Sequence, residues 1–94
     1  MNTENENELK AAKLTYAKAR LPNVKAELKK ISRKLDAVAD LKDALDAGYE
    51  VGLLVEYLNE GQKLLKEKER ALRDARAVLV EEWDALEREI RDAR

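Results

Sequence analysis

Apolar residues recur at alternating spacings of three and four along the first half of the chain: Leu14, Ala17, Leu21, Val24, Leu28, Ile31, Leu35, Val38 and Leu45. Lys42 alone interrupts the row. A repeat of about 3.5 holds these side chains in one seam along a helix, and such a seam has to face another helix. In the second half, Leu58, Leu65, Leu72, Leu79 and Leu86 recur every seven residues. Their companion positions Gln62, Glu69 and Arg76 are polar, which disfavours the parallel dimer of a basic-region zipper. The pattern reads better as a broad stripe that also uses Leu64, Ala71, Ala75, Val78 and Ala85 and moves toward Trp83 and Ile90.

These rows predict an all-α chain. Met1 to Glu8 alternates Asn and Glu and reads as a flexible polar tail, residues 1–8. A helix is expected over about 9–46, a turn over 47–52, and a second helix over about 53–93. Gly48 suits a helix C-terminal cap with positive φ, and Gly52 keeps the turn short. A short turn between helices of similar length makes them antiparallel neighbours. Folding about that turn pairs residues whose numbers sum to about 99, so Leu45 meets Leu54, Leu35 meets Leu64 and Tyr16 meets Trp83. The expected fold is a long, coiled-coil-like antiparallel hairpin forming a single domain over 9–94.

Pro22 complicates the first helix, because an internal proline removes a hydrogen bond and clashes with the preceding turn. Either the helix is kinked there, or it breaks and the chain makes three helices; the unbroken phase of the seam favours the kink. A second apolar row, Leu9, Ala12, Tyr16, Ala19 and Ala26, runs beside the seam. Two rows exceed what one partner helix covers, which points to a homo-oligomer, a dimer forming a multi-helix bundle being the simplest.

Composition narrows the chemistry. Charged residues are 41% and aromatics 4% of the 94 residues, so the core is expected to be thin and built from Leu, Val and Ala. With no Cys and no His, thiolate nucleophiles, zinc sites and an imidazole base are excluded. The three glycines form no phosphate loop, and no cofactor is expected. The start of the chain is unlike a secretory signal and no apolar run suits a bilayer, so no membrane association and a cytoplasmic location are expected.

Charge is distributed in blocks. Leu9 to Leu35 holds nine bases and one acid, a net +8, and Asp36 to Glu60 holds seven acids and one base, a net −6. Paired about 99, Lys18–Lys34 would lie beside Lys63–Arg76 and make a central basic band. Lys25, Lys29, Lys30, Arg33 and Lys34 are its candidate contacts, for an acidic protein surface or for nucleic acid. Nucleic acid is not favoured, because no aromatic inside the block offers a stacking platform. Glu81, Glu82 and Asp84 share one-turn spacings of the kind that helical metal sites use, but the facing segment Leu9–Lys18 supplies no matching acids. Glu82 is the acid nearest the seam.

Trp83, a residue type favoured at binding hot spots, is the leading contact candidate, with Tyr16 as its expected core neighbour. Tyr49 is expected exposed in the turn. The seam residues Leu14, Leu21, Val24, Leu28, Ile31, Leu35, Val38, Leu65, Leu72, Leu79 and Leu86 are the expected surface of helix association. The function expected is non-enzymatic: a protein–protein interaction protein of the assembly-factor, chaperone or inhibitor type. The alternatives are a nucleic-acid-associated protein and, less favoured, a metal-dependent helical hydrolase.

Overall fold

Two long helices pack as an antiparallel hairpin in a computed structural model that describes residues 3–93. Helix α1 spans Thr3–Glu50 and helix α2 spans Val55–Asp92, with no strand among the described residues. Helix α1 starts earlier than the expected polar tail allows. Glu4 and Glu6 stand in its first turn, where carboxylates meet the positive end of the helix dipole. The rest of that tail, Met1 and Asn2, lies outside the described residues.

The turn closes at Gly52 rather than at Gly48. The Gly52 amide donates to the Tyr49 carbonyl and the Leu53 amide to the Gly48 carbonyl, both at 3.0 Å. That pair of bonds is a Schellman motif, which places a left-handed residue just past the helix end. Gly52 supplies it with φ of 66°. Leu54 follows with φ of 46°, and its carbonyl accepts the Leu58 amide at 3.1 Å to start α2. Gly48 has a different task inside α1. A Cβ built on it would stand 3.1 Å from a methyl of Leu58, so its bare backbone lets α2 approach.

Moving the turn moves the register. Gly48 meets Leu58 and Leu45 meets Gly61, pairs whose numbers sum to 106 rather than 99. The difference is one heptad. A seven-residue slip returns every leucine of α2 to an equivalent place, so apolar pattern alone does not separate the two registers. Polar seam positions do. Lys42 stands in the α1 seam and bonds Glu69 in the α2 seam; summed to 99 it would have met the level of Tyr57, with no seam acid.

The chain divides into two compact units. In the open-end unit, described residues up to Leu28 lie with those from Val78 onward; the turn unit is Lys29–Ala77. In the open-end unit Ala17, Val24, Leu79 and Leu86 are buried, with Leu14, Leu21, Leu28, Trp83 and Ile90 half-buried around them. In the turn unit Val38 and Leu72 are buried, flanked by half-buried Ile31, Leu35, Leu45, Leu58 and Leu65. The α2 seam therefore includes Gln62, Glu69 and Arg76, all half-buried. Leu64, Ala71, Ala75, Val78 and Ala85, expected to widen it, are exposed. Strict heptad geometry leaves only two columns facing the partner, and long polar side chains can sit in them by turning their tips to water.

Helix α1 continues through Pro22, so the chain makes two helices rather than three. Pro22 is exposed, which keeps its ring out of the seam. The hydrogen bond that Pro22 cannot donate to the Lys18 carbonyl is then lost away from the seam. Pro22→Ala is expected to raise stability by about 1–3 kcal/mol, read from denaturant unfolding followed by circular dichroism. Gly52→Ala is expected to lower it by about 1 kcal/mol, through the left-handed backbone. A neutral result at Gly52 would mean the turn closes elsewhere.

Candidate interaction surfaces

The seam residues singled out from the sequence are occupied by the chain's own other helix. Any further association has to use the flanks. The flanks are unlike each other, and the heptad explains which residues fall on each.

On one flank of the turn unit, Leu41, Ala44, Leu64 and Ala71 line an open groove whose floor is Leu45, Gly61 and Leu65. Leu64 is 65% exposed and Leu41 54%. Only Glu67 and Lys68 bring charge to the groove wall. A corresponding groove in the open-end unit is lined by Ala12, Tyr16 and Ala85 over Ala17 and Leu86, with Lys13 and Glu89 at its rim. Ala12 and Tyr16 bring the second apolar row of α1 to this groove, and Leu9, Ala19 and Ala26 of the same row are also exposed.

Tyr16 and Trp83 are not partners in the expected way. Tyr16 is 61% exposed and belongs to the groove. Trp83 is half-buried, and the Lys25 amine lies 5.2 Å above its ring centroid, within range of a cation–π attraction. The register shift accounts for this, because it carries Trp83 further along α1. Tyr49 is likewise displaced from the turn. It lies in α1, half-buried, and its hydroxyl donates to Asn59 Oδ1 with Gln62 Oε1 at 3.5 Å.

The expected basic band is shorter in this register. In the open-end unit Arg20 donates through Nε to Glu82 Oε1 at 2.6 Å and reaches Glu27 at 3.3 Å. Lys18 and Lys25 then run alongside the segment holding Glu81, Glu82, Asp84 and Glu87. In the turn unit Lys63 to Arg73 runs alongside Asp36, Asp40 and Asp43. What stays basic is short: Lys29, Lys30, Arg33 and Lys34, all exposed, with Arg73 and Arg76 across from them and Asp74 between.

Two carboxylates are tuned by these pairs. The Arg20 guanidinium holds the Glu82 carboxyl below its ordinary value. Hydrogen bonds from Lys42 and then Arg73 do the same for Glu69. With Glu82 engaged by Arg20, the Glu81–Asp84 segment lacks a free acid at its centre. Among the described residues no group of three or more acids is arranged to hold a metal ion.

One exposed apolar cluster is not evident from the sequence pattern. Val51, Leu53, Leu54, Val55 and Tyr57 crowd the turn, and all are exposed. A run of Val and Leu beside a glycine reads equally as the start of a buried helix, so only the turn geometry brings it to view. Comparison with protein-family models, with curated proteins and with solved structures finds no match for this chain.

The pH dependence follows from the two carboxylates. A folded value below the unfolded 4.5 gives stability that is complete above that pH and lost as pH falls through the folded value. Melting temperature should therefore decline below about pH 4.5, and the double variant Glu69→Gln, Glu82→Gln should decline less steeply. Equal slopes in the two proteins would show that other carboxylates carry the acid limb.

Proposed function

We propose that this chain is a non-enzymatic protein–protein interaction protein, of the assembly-factor, chaperone or inhibitor type, that works as a homodimer of helical hairpins. The observation that carries the reading is the apolar column Leu64, Ala71, Val78 and Ala85 on α2, exposed along its length and repeating every seven residues. A helix lying alongside meets such a column at each heptad, and each copy of the chain supplies a helix of suitable length. Two hairpins stacked on this flank make a four-helix bundle, the arrangement that covers a second apolar row. In the turn unit Leu41, Ala44 and Leu64 line a groove that such a contact would cover, and in the open-end unit Ala12, Tyr16 and Ala85 line another.

The mixed charges at the groove rims, Lys68 with Glu67 and Lys13 with Glu89, suit a self-complementary contact. The absence of Cys from the sequence suits a reducing compartment such as the cytoplasm. Light scattering on a sizing column tests the reading. A dimer is expected that persists in high salt, because apolar burial carries it. Leu41→Glu with Leu64→Glu should weaken the dimer by about 100-fold or more while helix content stays, since burying an unpaired charge is strongly unfavourable. A wild-type monomer at all protein concentrations would end the reading.

A further inference from the structure

The turn connecting the helices is apolar where connections are ordinarily polar. Val51 is 70% exposed and Tyr57 72%, with Leu53, Leu54 and Val55 between them also exposed. Exposed apolar residues scattered singly need no explanation, but a contiguous set of five large ones does.

Two local choices at this tip work against stability. Leu54 holds a left-handed backbone that Gly or Asn would adopt with less strain. The last turn of α1 contains Glu50 and no base, although the negative end of the helix dipole favours a cation there. The acids extend beyond that turn. From Asp43 to Gln62 the chain carries Asp43, Asp46, Glu50, Glu56 and Glu60 and no Lys or Arg at all. Local features that oppose stability and coincide in one place are the mark of a surface kept for binding.

We propose that the tip is a docking plug: its apolar side chains enter an apolar pocket on a different protein, and a rim of Lys and Arg on that protein meets the acids around them. Charge selects this occupant. An anionic lipid surface repels a tip of this sign. The tip of a second copy carries the same sign. The grooves of a second copy offer one base and one acid each, and its basic stretch Lys29 to Lys34 lines neither of them, so a second copy does not combine an apolar pocket with a cationic rim. The inference uses none of the residues assigned to the dimer, so either can fail without the other.

The probe is a fluorescein-labelled amphipathic helical peptide of Leu and Lys, titrated onto the full chain and followed by anisotropy. Its Leu–Glu counterpart, and vesicles of phosphatidylcholine with and without phosphatidylglycerol, are the comparisons. The Lys peptide is expected to bind, and to bind about tenfold more weakly in high salt. Leu53→Ser with Leu54→Asn should weaken it by about tenfold or more, with the mass by light scattering unchanged. Asparagine relaxes the backbone at position 54, so this variant keeps its fold. Glu50→Lys with Glu56→Lys should transfer the preference to the Leu–Glu peptide. The proposal is overturned if the tip variant binds the Lys peptide as the wild type does, if the wild type binds the Glu peptide equally, if the tip binds vesicles, or if the tip variant loses self-association.

Discussion

The hairpin depends on where its backbone can reverse. The Schellman closure needs a residue that accepts a positive φ one step beyond the helix, and Gly52 meets that need while Gly48, inside α1, leaves room for Leu58. From this constraint the register follows, and with it the company each side chain keeps. Lys42 finds Glu69 and Arg20 finds Glu82. Lys63 to Arg73 comes to lie beside Asp36, Asp40 and Asp43, while Lys29 to Lys34 keeps Arg73 and Arg76 opposite and the tip keeps acids on both helices.

The polar seam positions contribute discrimination more than strength. A partly buried ion pair recovers little beyond its desolvation, and an apolar pair of similar volume is often as stable or more so. A uniform seam of leucines, however, would be indifferent to a slip of one heptad. Lys42 with Glu69, and Gln62 near Tyr49, make one register better satisfied than its neighbour, as single polar core positions do in coiled coils.

Much of the fold is legible in the sequence, because the α1 seam from Leu14 to Leu45 keeps phase and has no other use. The α2 seam is less legible: Gln62, Glu69 and Arg76 look unsuitable beside exposed Leu64 and Val78, and only the packed geometry ranks them. The sequence leaves the register ambiguous by one heptad, because the hydrophobic pattern is periodic and the two glycines of the turn are equivalent candidates until their surroundings are known. The neighbours of Tyr16 and Trp83 change with it. The grooves were partly legible, through the second row beside the seam. The apolar tip was not, since Val51 to Val55 carries no periodicity that distinguishes exposure from burial.

Chain entropy gives the turn a further meaning. Tyr49 and Asn59 are 10 residues apart in sequence, whereas Arg20 and Glu82 are 62 apart. Loop-closure entropy makes the distant contact harder to form first by about 1.6 kcal/mol. On this count the entropically cheaper order closes the tip before the open end, and the reversal at Gly52 comes first in it. Leu54 is strained within that same nucleus. The residue that gives the tip part of its apolar surface thus also slows the hairpin's own formation, so binding and folding speed draw on one backbone angle.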